Sequence, residues 1–265
     1  MNPSLTRCIA IFLAALLFSP NLLAAEPEST AASETLAFAG PTAYTVAPGR
    51  FEVGLFGPLR YGLTENVELS THPIWFFVAP NLRAKVAWHQ GEHIQVSTNS
   101  SITYPTPILR LLSMEGAGGV HPPDRAIPHI VSLFNEVVAT TDLGGHYLSA
   151  GAGIQIAPTF GESQMVSIDV AVVYPRTAAF FTTATGHLRA HLLGPIAGPL
   201  HYELSAQAFL FPGADGSFAL EQSTGLRWQS CDCFSAQAGL LLTHGAYPFG
   251  TDTRLLPLFE LAWAF

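Results

Sequence analysis

The residues of this chain that could do chemistry are ten histidines, a Ser-x-His pair and a Cys-x-Cys pair. Each combination calls for a particular geometry. His187 and His191 stand four apart, about 13 Å on an extended strand, which is too far for two ligands of one metal ion. Ser70 and His72 in "STH" share a strand face at about 7 Å, whereas acyl hydrolysis needs the hydroxyl and the imidazole within hydrogen-bond reach. The His-x-Ser order is absent. Cys231 and Cys233 in "QSCDCFS" fall at a turn and read as a disulfide staple or as two free thiols. Catalytic residues, metal ligands and cofactors are therefore expected to be none. His72, His89, His93, His187, His191 and His201 read as polar residues lining an interior.

The elements that must hold these residues follow from composition. Hydrophobic residues make up 49% of the chain and charged residues 11%, with a mean hydropathy of +0.32, more apolar than an ordinary soluble domain. No uninterrupted apolar run long enough for a spanning helix, about 20 residues, occurs beyond residue 25. Arg7 followed by "CIAIFLAALLF" and by "NLLAA" reads as a secretory signal peptide over residues 1–25, cleaved after Ala25. Cys8 lies inside it and reads as incidental. Residues 26–48 begin "EPESTAASET" and read as a flexible leader, leaving 49–265 as the folded part. Full-length charge is 11 basic against 19 acidic residues, and removal of Arg7 leaves 10 against 19, or −9. Such a balance excludes a nucleic-acid partner.

The period of the remaining sequence is two. In "SFALEQSTGLRWQ" Phe218, Leu220, Leu226 and Trp228 oppose Glu221, Arg227 and Gln229, and in "LHYELSAQAFL" Tyr202 and Leu204 oppose His201, Glu203 and Gln207. Alternation of this kind over ten to fourteen residues specifies strands. Candidates fall at 50–61, 67–77, 81–90, 92–104, 127–141, 145–157, 164–175, 179–193, 200–211, 216–229, 233–244 and 254–265. That gives an all-β chain of about 12 strands, each long enough to cross a bilayer when tilted, with 10 and 14 as neighbouring counts. Counting from the start places the long segment 105–126 on the side of the chain termini. Short turns are the rule on that side of a membrane barrel, so the segment reads as an inward-folded plug or a miscounted strand pair.

The charges select the faces. Arg50, Glu52, Arg60, Arg83, Lys85, His187, Arg189, His191, Glu203, Glu221, Arg227 and Glu260 stand opposite the large apolar residues or beside turns. A soluble sandwich would expose them, and a membrane barrel would turn them into its lumen. The chain ends "LLPLFELAWAF", with Phe259, Leu261, Trp263 and Phe265 on one face. This stretch resembles the C-terminal assembly signature of bacterial outer-membrane β-barrels. More locally, "GRFEVGLFGPLRYGLTENVELSTHP" (49–73) resembles the outer-membrane transporters grouped as MetA-pathway phenol-degradation-like proteins.

These resemblances imply an antiparallel up-and-down barrel in the outer membrane, with membrane lipids and the barrel-assembly machinery as partners. Its mixed-charge lumen would pass small solutes while narrow or plugged. Two alternatives stand beside that: a structural or adhesive barrel that conducts nothing, and a lipid-modifying hydrolase with Ser70 as nucleophile. Trp228, Phe234, Trp263 and Tyr202, near strand ends, read either as interfacial aromatic girdles or as lipid-facing bulk.

Overall fold

The structure, a computed structural model, describes residues 37–38, 40–91, 93–114, 122, 124–213 and 218–265. The expected signal peptide lies outside these residues. In chain order the strands are β1 (Phe51–Gly54), β2 (Leu59–Thr64), β3 (Val67–Thr71), β4 (Asn81–Gln90), β5 (Ile94–Thr103), β6 (His129–Ile130) and β7 (Ser132–Asp142). There follow β8 (Tyr147–Ile156), β9 (Thr159–Phe160), β10 (Ala184–Ala197), β11 (Leu200–Leu210), β12 (Phe218–Cys231), β13 (Phe234–Tyr247) and β14 (Gly250–Ala264). Four short helices, α1 (Pro73–Phe76), α2 (Thr106–Ser113), α3 (Tyr174–Thr177) and α4 (Ala179–Thr182), lie in the connections. All strands except β6 and β9 form one closed antiparallel barrel of 12 strands. β6 and β9 pair only with each other.

Closure is what a sheet in lipid requires, because an open edge would leave backbone groups without partners. β1 meets β14 through Glu52↔Ala264, Val53↔Trp263 and Gly54↔Ala262. Beyond them Phe51 and Phe265 exchange both backbone hydrogen bonds, at 3.0 and 2.9 Å. Alternation then sorts the side chains. Leu188, Leu204, Leu226, Leu240 and Leu255 lie exposed on the outer face, while Glu52, Glu68, Lys85, Glu136, Glu221 and Arg227 are buried on the inner one. With its apolar face outward and its charges inward, the chain is an integral barrel of the outer-membrane type. No helix among the described residues is long and apolar enough to cross a membrane. Near the termini, Phe234 contacts both Trp228 and Trp263, and Phe51 stacks on Tyr61 with ring centroids 4.4 Å apart.

Three expectations about strands are corrected. Residues 50–61 form two strands, β1 and β2, because Gly57-Pro58 reverses the chain; the apolar alternation runs through the turn and conceals it. The alternating stretch 164–175 is no strand: 164–170 is irregular, and α3 begins at Tyr174. These two differences cancel in the total. Five strands now precede the long segment after Thr103, so it leaves the barrel on the side opposite the termini. The connections on that side include 104–131 and 157–183, whereas 65–66, 91–93, 143–146, 198–199 and 232–233 on the terminal side are tight. This is the usual asymmetry of such barrels.

The 157–183 connection folds back over the far mouth. Tyr174, Ala178, Phe209, Phe211 and Tyr247 form one buried cluster, with Phe181 and Phe249 against it. Leu109, Ile127, Ile130, Ile168 and Ala179 form a second. Together they cap the far end of the lumen.

Deleting Phe265 removes both backbone bonds that complete the β1–β14 seam. The fraction of refolded chain that migrates as a compact band before boiling is expected to fall severalfold, while Phe265→Tyr retains it. An unchanged band in the deletion would contradict this role of the seam.

Candidate functional site

The interior of the barrel is where its polar chemistry collects. At the terminal end the inward residues of β1 to β4 form one connected ion network. Arg60 donates through Nη1 to Glu52 at 2.7 Å and through Nε and Nη2 to Glu68 at 2.9 and 2.8 Å. Lys85 Nζ lies 3.7 Å from Glu68. The register imposes this grouping: Glu52 pairs with Arg60, and Glu68 with Lys85. Opposite charges directly across a strand pair support each other. All four are buried.

Residues 40–48 run through this network. Lys85 Nζ donates to the backbone carbonyls of Gly40, Thr42 and Tyr44 at 3.1, 3.1 and 2.9 Å. The backbone N–H of Val46 donates to Glu68 at 3.1 Å, and that of Ala43 to Thr140 Oγ1 at 2.8 Å. Phe38 N–H donates to Glu52, and the Arg50 guanidinium lies over the Phe38 ring. Tyr44 meets Tyr147 edge to face, and burial pushes its phenol up to about 12. Ala43 and Val46 are buried. In its described part, then, the leader expected to be flexible is packed inside the barrel. The difference has a physical reason: what holds the segment is its backbone, which composition does not reveal.

One glycine permits the approach. A Cβ on Gly62 would lie 2.0 Å from the Ala47 carbonyl oxygen, so only glycine lets the segment lie against β2 there.

Midway up, Arg189 Nε lies 2.6 Å from Glu136 Oε1, and Asn99 donates to Glu136 at 3.1 Å. Gly151 and Gly153 of β8 face inward here, and a Cβ on either would crowd Glu136 and its neighbours. His187 packs edge-on against Phe134 and Phe209. His191 bonds Glu203 at 3.0 Å, and Arg227 pairs with the same carboxylate. At the far end Arg176, outside any strand, forks onto Glu221 with two bonds of 2.7 Å. No period could reveal Arg176, because it belongs to the cap.

Of the sequence candidates, Glu52, Arg60, Arg83, Lys85, His187, Arg189, His191, Glu203, Glu221 and Arg227 lie on the lumen face. Arg50 sits at the terminal mouth and pairs with Glu52 at 3.3 Å. Glu260 accepts the Phe56 N–H at 3.1 Å. Phe259 and Trp263 point outward, and Leu261 shares their parity. Cys231 and Cys233 are bonded across the β12–β13 turn. His93 lies in the β4–β5 turn and His89 is exposed after the β4 bulge, so neither lines the lumen. Ser70 and His72 share no hydrogen bond among the described residues; His72 Nε2 instead meets the Phe56 carbonyl at 2.6 Å. The described residues contain no cluster of metal-ligating side chains.

The wall itself is incomplete on one side. β14 pairs with β13 along its whole length but with β1 only at Ala262–Ala264. Leu55 N–H reaches Leu261 O at 2.7 Å, and residues 250–259 have no ladder partner on that side. A cavity of about 530 Å³ opens there, lined by Phe56, Gln237, Pro257, Leu258, Phe259 and Glu260. Inward Leu258 and Glu260 and outward Pro257 and Phe259 both border it. Proline lacks an N–H and is tolerated in a sheet where no ladder bond is needed, and Pro257 lies in this stretch.

No family model and no curated protein sequence matches the chain. Among solved structures it is similar to the COG4313 outer membrane channel from Pseudomonas putida F1, at 8% identity over 90% of this chain and 98% of that one, with a TM-score of 0.49. It is also similar to outer-membrane expressed OmpT of Vibrio cholerae, at 8% identity over 94% and 73%, TM-score 0.45. A third is OccK11 of Pseudomonas aeruginosa, at 11% identity over 86% and 61%, TM-score 0.39.

Lys85 ties the segment to the terminal network, since its loss strands three carbonyls and removes one of the two cations beside Glu68. Removing one partner of a buried ion group costs about 3–5 kcal/mol. In an Ala43→Cys background, labelling by a membrane-impermeant thiol reagent is expected to be at least tenfold faster when Lys85→Met is added. Equal rates would contradict the assigned role of Lys85.

Proposed function

We propose that this protein is an outer-membrane channel for small solutes, held closed at its terminal end by its own residues 40–48. The observation that supports this reading is the mode of attachment. The segment is bound by hydrogen bonds from lumen side chains to its backbone, with few large side chains of its own, an arrangement that can release as a unit without unfolding the wall. Twelve strands enclose a lumen just wide enough for such a segment and a small solute; wide aqueous pores use 16 or more strands. Cations and anions alternate around the interior, which argues against strong ion selectivity. The opening beside β14 gives a solute that enters the lumen a second way out, sideways toward the bilayer.

A structural barrel that conducts nothing is the second reading, favoured by how thoroughly the lumen charges are paired. The two diverge on what happens when the segment is displaced. Gly62→Ala places a methyl group against the Ala47 carbonyl and must push the segment away from β2. In planar bilayers the wild-type chain is expected to show rare, brief conductance steps, and Gly62→Ala at least a tenfold higher open fraction. A correctly folded Gly62→Ala barrel that stays silent would overturn the channel reading in favour of the structural one.

A further inference from the structure

Arg60, Arg189 and Arg227 each pair with a lumen carboxylate, and Arg83, on the same face, does not. Its register, Ser70↔Arg83 and Arg83↔Ser101, places it on the inner face beside the buried Lys85, yet it is solvent-exposed. Among the described residues it makes no ion pair or side-chain hydrogen bond, although Glu136, Arg189, Glu68 and Arg60 lie within electrostatic range. Arg189 meets Glu136 only through Nε, and its Nη2 is buried with no hydrogen-bond partner. Two guanidinium groups therefore face the same part of the lumen with donors to spare. A guanidinium fork matches a carboxylate in both geometry and charge.

The opposite wall is apolar where it would be expected to be polar. Leu241 pairs with Leu256, and Gly239 with Leu258. All three leucines share the inward parity of buried Thr243 and Ser235. A strand tilt of about 40°, normal for such a wall, brings the middle of β14 to roughly the height of Arg83. The same stretch of β14 borders the opening at Pro257. A small inorganic anion would leave the leucines wet, and a neutral apolar molecule would leave the guanidinium groups unpaired.

We propose that this chamber binds an amphipathic monocarboxylate. Its head pairs with Arg83 and the free edge of Arg189, and its apolar tail lies along Leu241, Leu256 and Leu258 toward the opening beside Pro257. The proposal rests on the reading of the lumen as a solute path and names the solute class for it.

The test is calorimetric titration of the full mature chain in zwitterionic phospholipid nanodiscs with octanoate, octanol and acetate, corrected for empty discs. Octanoate is expected to bind saturably, and acetate at least tenfold more weakly. Arg83→Gln is expected to weaken octanoate at least tenfold while leaving octanol unchanged. Leu258→Asn should weaken octanoate and octanol alike, and Arg254→Gln, at the far rim, should alter neither. The site is overturned if octanoate gives no saturable heat above empty discs, if octanol binds the wild type as tightly as octanoate, or if Arg83→Gln binds octanoate like the wild type. Conductance measured on the same preparations separates the two readings. Steps without octanoate binding remove the site and leave the channel, whereas binding to a barrel that stays silent in Gly62→Ala removes the channel and leaves the site.

Discussion

Everything in this barrel depends on one constraint: in hydrocarbon there is no water to satisfy a backbone N–H or C=O, so the sheet must supply nearly every partner itself. That requirement closes β1 onto β14 and gives each strand two neighbours. Once the wall is closed, alternation leaves only two places for side chains. Most of the large apolar ones face lipid, and the buried charges of the wall are gathered into a confined interior. There, charges in a low-dielectric space must find partners, which is why Glu52, Arg60, Glu68 and Lys85 form a chain of contacts and why Glu136, Glu203 and Glu221 each hold an arginine.

The same constraint explains how a short segment of weakly hydrophobic sequence becomes structural. Residues 40–48 carry backbone groups that must be satisfied once inside, and the lumen supplies the complementary atoms: an ammonium for three carbonyls, and a carboxylate and a hydroxyl for two amides. Lys85 in turn is satisfied at a depth where an unpaired ammonium would be costly. Segment and network stabilise one another, so the packed arrangement is encoded jointly by residues 40–48 and by strands some forty residues later.

Fold class was legible in the sequence because a period of two survives wherever one face meets lipid and the other a polar lumen. Phe218, Leu220 and Leu226 against Glu221 and Arg227 show it plainly. Legibility failed where alternation had another cause. Phe51–Thr64 alternates across the Gly57-Pro58 turn, and 164–175 alternates in sequence but buries Ile168, Ala171 and Tyr174 at intervals of three, a spacing that belongs to no strand. The charged lumen residues could be picked out by parity, but their partners could not, since strand parity says nothing about register. The packing of residues 40–48 left no trace in composition, because its contacts are made by backbone. Leu256 and Leu258 were visible on the charged parity of β14; what they face depends on barrel closure, which no local pattern contains.

The proposed closure depends on residues 40–48 filling the conduction path. A double variant, Ala43→Cys with Thr140→Cys, places one thiol on the segment and one on β7, where the Thr140 hydroxyl now accepts the Ala43 backbone N–H at 2.8 Å. Oxidation of the folded barrel should join them, abolish conductance steps in a planar bilayer, and let the steps return on reduction. A folded barrel in which the two cysteines never bond, or one whose conductance is indifferent to the bond, would contradict it.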